Sequence, residues 1–183
     1  FLMSLIHNNN FKWYLVRDNF LSKDECEDII KIIDDESKQI DTCGAQVVKL
    51  NEKIYLDKVW NIMKLSNDIH FKFDIDSVQL QEGKYYKAGV YKEQNTLHSD
   101  FAAGPGRLVD TTTKLTSVVF LNDDYWGGEL EIWGDKIESQ QGRIVIFPAF
   151  AAHKVSQFYD KDRYTMLTLS LIHISEPTRH DQI

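Results

Sequence analysis

Two stretches near the start of the chain repeat apolar residues at helical spacing, and almost everything after them repeats at strand spacing. In the first stretch, Ser22-Lys23-Asp24-Glu25 has the form of a capping box, and Cys26, Ile29, Ile30 and Ile33 follow three or four positions apart. This predicts a helix from about Ser22 to Ser37 with its apolar stripe on a core. In the second, Ile54, Leu56, Val59, Trp60, Met63 and Leu65 predict a helix from about Glu52 to Ser66, with Trp60 and Met63 as core residues. Beyond Phe71 come short runs rich in Val, Ile, Thr, Tyr and Phe, broken by Gly, Asn and Asp. They predict strands at Ser77–Gln81, Tyr85–Tyr91, Leu115–Leu121, Glu129–Trp133, Arg143–Phe147, His153–Gln157 and Tyr164–Leu171. Turn signals stand at Glu82-Gly83, Asn122-Asp123-Asp124 and Gly127-Gly128, where the last pair suits a turn that needs positive φ. Helices first and many short strands after define an α+β class, a double-stranded β-helix (jelly-roll) core with supporting N-terminal helices. The helical support is expected over about 20–66 and the jelly roll over about 71–171, within one domain, 1–171.

Composition narrows the partners. A formal charge of −7 over 183 residues, with no long Lys/Arg cluster, disfavours nucleic acid. No apolar run approaches the roughly 20 residues that span a bilayer. Cys26 and Cys43 are too far apart for a Cys-x-x-Cys motif and read as plain thiols. The start, Phe1-Leu2-Met3-Ser4-Leu5-Ile6, lacks a basic leader and a cleavage site, so a cytoplasmic setting is the default expectation. The end differs: Ile172-His173-Ile174-Ser175-Glu176-Pro177-Thr178-Arg179 resembles translated sequencing-adapter DNA. Residues 172–183 are therefore expected to be a non-native tail on a viral or metagenomic sequence ending near Leu171, which sets His173 and His180 aside. The sequence carries no indication of oligomeric state.

The candidate chemistry lies in the strand-rich half. His98-Ser99-Asp100 places two metal-ligand types at i and i+2, so on an extended segment both project from one face. Alone, such a triplet is common by chance and reads more readily as a turn with a solvated carboxylate. His153, at the start of a predicted strand after Phe147-Pro148, and Arg163, ten residues further on, change its meaning. Two imidazoles and a carboxylate on one face of an octahedron leave three positions open, the donor set of non-haem Fe(II) oxygenases. A 2-oxo acid and O2 would fill those positions. The distal carboxylate of a 2-oxo diacid would then match the planar guanidinium of Arg163 with two parallel hydrogen bonds.

Taken in order, His98-Ser99-Asp100, the run Leu115–Asn122, Gly127-Gly128-Glu129-Leu130, Phe147-Pro148, His153 and Arg163-Tyr164 resemble the catalytic core of prolyl 4-hydroxylase-like members of the 2-oxoglutarate and Fe(II) oxygenases. The resemblance runs from Leu97 to Leu169. It implies Fe(II) held by His98, Asp100 and His153, 2-oxoglutarate anchored by Arg163, and O2 as second cosubstrate. The implied reaction is oxidative decarboxylation to succinate and CO2, with hydroxylation of an unactivated C–H bond. A tyrosine before the His-x-Asp pair often reaches the oxo acid in that family; Tyr91 is the candidate by position, with Tyr85 and Tyr86 as alternatives. Where the family tends to end its last strand on an aromatic residue, this chain has Thr168-Leu169-Ser170-Leu171.

The implied substrate is a peptide or small amino-acid-like molecule, most directly peptidyl proline. Free amino acids, other metabolites and nucleobases are alternatives within the oxygenases. Two readings lie outside them: a cupin-like metalloenzyme that does not use 2-oxoglutarate, against which Arg163 argues, and a non-catalytic jelly-roll binding module using Tyr125-Trp126 and Trp133 as its platform. In the oxygenase reading Tyr91, Phe101 and Trp133 are candidate cavity walls, and the small-residue loop Phe101–Arg107 is either a substrate-contacting lid or an ordinary connection.

Overall fold

The computed structural model of the chain describes residues 12–36, 39–40, 45–89, 97–100 and 112–172. Helix α1 spans Lys23–Asp35, and both halves of its capping box form. Glu25 N donates to Ser22 Oγ at 3.2 Å and Ser22 N donates to Glu25 Oε2 at 2.8 Å, satisfying two amides that the first turn leaves without helical partners. Cys26, Ile29 and Ile33 are its buried stripe. Helix α2, Lys53–Ser66, buries Tyr55, Val59 and Met63 and runs into a π-helical turn, Asn67–Phe71. Asn67 closes that turn by bonding both the N–H and the carbonyl of Phe73 through its side chain. Lys58 on α2 reaches Glu25 on α1 at 2.7 Å, joining the helices at their exposed margin.

The strands are β1 (Leu15–Arg17), β2 (Gln39–Ile40), β3 (Gln46–Lys49), β4 (Ser77–Tyr86), β5 (Thr113–Phe120), β6 (Trp126–Gly127), β7 (Leu130–Ile132), β8 (Asp135–Ile137), β9 (Ile144–Pro148), β10 (His153–Val155), β11 (Phe158–Tyr159) and β12 (Arg163–Leu171). Seven of them form one sheet in the order β1-β9-β5-β12-β4-β3-β2. A three-stranded sheet, β10-β7-β8, and the pair β11-β6 complete the jelly roll. The described strand pairings are antiparallel.

Side chains alternate across a strand, so the register assigns each residue of the large sheet to a face. One face carries Leu115, Val119, Leu121, Ile144, Ile146 and Met166 and packs on the helices through Cys26, Ile29, Ile33, Val59 and Met63. The other carries Val118, Phe120, Val145 and Phe147 and packs on Leu130, Ile132 and Ile137 of the small sheet. This second, inter-sheet layer is the jelly-roll interior.

One predicted break is absent. Glu82-Gly83 reads as a turn in the sequence, but β4 runs through it unbroken and pairs with β12 from Tyr86↔Arg163 to Leu80↔Leu169. Gly83 is there for a close approach: a Cβ would meet Ile33 Cγ1 and lie 2.6 Å from Ile33 Cδ1, so glycine gives α1 its seat on the sheet. The predicted strand at Glu129–Trp133 is shorter, because Trp133 and Gly134, with φ of 48° and 92°, form the two-residue turn between β7 and β8. Trp133 thus stands partly exposed, edge-on to Trp13 with ring centroids 5.2 Å apart. The region about 20–66 also holds β2 and β3, which extend the large sheet.

Gly127 and Gly128 do adopt positive φ, 80° and 73°. Cys26 is a buried free thiol, pushed up to about 11 by burial. Cys43 and residues 173–183 lie outside the described residues. No helix among the described residues is long and apolar enough to cross a membrane.

Candidate metal and oxo-acid site

The large sheet positions the site through β5 and β12. Register pairs Thr165 with Phe120, Leu167 with Val118 and Leu169 with Thr116, so Arg163, Phe120, Val118 and Thr116 all face the jelly-roll interior. Phe147, paired with Thr116 from β9, faces the same way. The hydroxyl of Thr116, fully buried, donates to Asp100 Oδ2 at 2.6 Å. The ring of Phe147 packs edge-on against His153 at 4.8 Å.

His98 and His153 meet through their backbones. Each N–H donates to the other's carbonyl, at 3.0 and 2.8 Å, forming an isolated antiparallel bridge on the free side of β10. Their rings come to 4.4 Å between centroids. Asp100 completes the group, with Oδ1 at 3.6 Å from His98 Nε2 and Oδ2 at 3.7 Å from His153 Nε2. One donor atom from each of the three residues lies within 4.8 Å of the others, a spacing that fits a single cation.

The environment of His153 suits ligation. Nδ1 lies 2.9 Å from the carbonyl of Ala151. That contact selects the tautomer in which Nδ1 carries the proton and Nε2 presents its lone pair toward Asp100. Burial holds the imidazole below its ordinary value, with His98 and Lys84 adding to this and Asp100 opposing it, so the neutral, metal-binding form is favoured. Lys84 lies on β4 opposite Thr165, on the same sheet face.

Arg163 is the largest fully buried side chain, 1% exposed. Its guanidinium lies over the rings of Tyr86 at 5.1 Å and Phe120 at 5.6 Å, and its Nε has no hydrogen-bond partner among the described residues. A buried cation whose contacts among the described residues are aromatic faces carries a desolvation cost that an anion would offset. It is therefore poised for an anion, and a planar carboxylate matches its donors. The residues present fit both groups that the sequence implied: a cation among two imidazoles and a carboxylate, and a dicarboxylate whose far end meets Arg163.

Of the sequence candidates, the fold brings His98, Asp100 and His153 together and places Arg163 on the adjoining sheet face. Tyr91, Phe101 and the rest of the loop 101–107 lie outside the described residues. Of the alternatives to Tyr91, Tyr85 points to the helix side, where burial and then the hydrogen bond its hydroxyl donates to Asp162 at 2.7 Å push it up to about 12. Tyr86 pairs with Arg163 and faces the interior. Thr116 was not singled out by the sequence. Its only signal is alternation, which puts it on the face of Val118 and Phe120, and it reads there as another β-branched core residue.

Residues 85–169 match the sequence model of the 2OG-Fe(II) oxygenase superfamily. Comparison with curated proteins finds no significant sequence match. Among solved structures, the chain is similar to the viral collagen prolyl hydroxylase of Paramecium Bursaria Chlorella virus-1 in its 2OG complex, with a TM-score of 0.72 at 17% identity, covering 89% of this chain and 97% of that one. It is also similar to a Pseudomonas putida prolyl-4-hydroxylase, with a TM-score of 0.69 at 17% identity, covering 88% and 93%. A Trichoplax adhaerens prolyl hydroxylase, solved with a hypoxia inducible factor oxygen degradation domain peptide fragment, gives 0.68 at 17% identity, covering 88% and 84%.

A jelly roll that groups two histidines and an aspartate offers the donor set of a mononuclear metal site. Over residues 85–169 the chain is similar to the 2OG-Fe(II) oxygenase superfamily, and its fold is that of the prolyl hydroxylases. Enzymes of this family use Fe(II), 2-oxoglutarate and O2.

Proposed function

We propose that the chain, as one oxygenase domain over 1–171, hydroxylates peptidyl proline or a related amino-acid side chain. His98, Asp100 and His153 hold Fe(II), and Arg163 anchors 2-oxoglutarate. The carrying observation is the buried guanidinium of Arg163, whose Nε has no partner among the described residues, on the sheet face whose Thr116 orients Asp100. A cupin-like metal site without an oxo acid would give that cation nothing to do.

Bound iron would supply O2 activation coupled to decarboxylation of the oxo acid; the protein's own part is binding, orientation and exclusion of water. Ala151 fixes the His153 tautomer, and Thr116 keeps one oxygen of Asp100 in place. Arg163 neutralises the distal carboxylate and so sets the direction in which the oxo acid lies. Val118, Val145, Phe147, Leu130 and Ile132 form a dry wall behind the site. The similar Trichoplax protein was solved with a peptide, which supports a peptide substrate as the first to test.

Anaerobic addition of Fe(II) and 2-oxoglutarate should give the weak visible charge-transfer band of the chelate; a folded, iron-loaded protein without it would refute the cosubstrate assignment. Succinate release across proline-containing peptides and free amino acids then decides the substrate. Release with amino acids alone would remove the peptide reading.

A further inference from the structure

Arg163 opens β12, so the buried guanidinium is carried by a strand end, where a ladder holds the backbone least. Its register partner is Tyr86, the last residue of β4, and the pairing of β12 with β5 begins only at Thr165↔Phe120. Side chains finish what the ladders leave open. The amide of Asn122 spans Arg163: Nδ2 donates to the Asp162 carbonyl at 2.8 Å, and Oδ1 accepts from Tyr164 N at 2.8 Å. The carboxylate of Asp162 spans Tyr86 in the same way. Its Oδ2 accepts from the Tyr85 hydroxyl at 2.7 Å and its Oδ1 from Ala88 N at 2.8 Å.

The ring bracketed by those two bonds is the one 5.1 Å from the Arg163 guanidinium. Attraction between a cation and an aromatic face constrains their separation more than their direction. Two parallel hydrogen bonds to a planar carboxylate need direction as well. It has to come from where the ring and the strand end are held, and Asp162 reaches both: it precedes Arg163 in the chain and grips the residues on either side of Tyr86. The turn it sits in does not use its side chain. Asp160 at φ 76° and the bond from Lys161 N to the Tyr159 carbonyl at 3.0 Å shape the β11–β12 connection, whereas both oxygens of Asp162 serve the neighbouring strand.

We infer that Asp162 is a positioning residue for the cosubstrate: by tying the end of β4 to the start of β12 it holds the Tyr86 ring against the Arg163 guanidinium and so aims that guanidinium at the distal carboxylate. Asp162 acts only through Tyr86 and Arg163. This rests on the reading of Arg163 given above.

The test uses the whole chain, loaded anaerobically with Fe(II), and follows the charge-transfer band during titration with 2-oxoglutarate or with 2-oxobutyrate, which keeps the chelating head and lacks the distal carboxylate. Asp162→Ala, which removes both acceptors, should weaken 2-oxoglutarate binding roughly tenfold or more, as misplacing an aligned group does. It should leave 2-oxobutyrate binding and Fe(II) retention at the parent level. Asp162→Asn should recover the parent affinity, because its Oδ1 still accepts from Ala88 N and its Nδ2 can donate to the Tyr85 hydroxyl oxygen. Tyr85→Phe removes one bond of the two; it should show a smaller loss of the same kind, and it decides the matter if Asp162→Ala does not fold. Parent 2-oxoglutarate affinity in the deciding variant, an equal loss for both acids, or no recovery in Asp162→Asn would overturn the inference. Arg163→Met serves as the separate arm. If it loses the preference for 2-oxoglutarate while Asp162→Ala keeps it, Arg163 stands and Asp162 does not. If Arg163→Met keeps the preference, both assignments fall.

Discussion

The two faces of the seven-stranded sheet share a backbone and differ in what they leave unfinished. The helix face is closed by shape: Ile33 sits over the bare Cα of Gly83, and Ile29, Val59 and Met63 fill the rest. Its ionisable groups either pair at the margin, as Tyr164 does with Asp34 at 3.0 Å, or stay neutral, as Cys26 does. The interior face buries a guanidinium with no anion beside it among the described residues, and a carboxylate between two imidazoles. Close packing is sufficient for stability, whereas a binding site must retain groups that only a ligand can satisfy.

Substitutions can break that division in descending order of effect. Asp100→Ala should abolish iron retention through gel filtration while the metal-free protein stays folded; retained iron would show the triad to be wrongly drawn. Thr116→Val, which keeps shape and removes the donor to Asp100, should lower Fe(II) affinity roughly 10–100-fold by titration, the range for groups that orient a ligand. On the other face Gly83→Ala should cost about 1–3 kcal/mol in denaturant unfolding, as overpacking does, with Fe(II) affinity of the folded fraction unaltered. A shift in affinity there would mean that the faces are coupled.

The smallest effect concerns Cys26. Its thiol is raised from 9.0 to about 11 by burial, so the folded state holds its proton more tightly than the unfolded state. Its contribution to stability is whole below about pH 9 and is lost as pH rises toward about 11. Unfolding midpoints measured across that window should fall in the parent and fall less in Cys26→Ala.

Much of this was legible in the sequence, for reasons that differ by residue. Ser22 and Glu25 announce α1 because a cap is a local interaction, complete within four residues. His98, Asp100, His153 and Arg163 could be read because their spacing along strands carries the geometry. Gly83 could not, because a strand glycine seating a helix and a turn glycine look alike until the helix above is known. Strand β1 was invisible for a related reason: Leu15-Val16-Arg17 is too short to show alternation, and its partner β9 begins at Ile144. Thr116 and Asp162 depend wholly on what faces them, which no local pattern records.

The reciprocal backbone bonds between His98 and His153 make the candidate metal site a clasp. The halves come from segments far apart in the chain, so holding them together restrains a long loop, whose closure carries an entropic cost. A cation bound to both imidazoles would add its binding energy to that restraint. Hydrogen exchange should register this directly: the amides of His98 and His153 become slower when metal is present, at concentrations where the amides of β5 do not change. Metal loading would then be a local folding event at one edge of a sheet that is already formed.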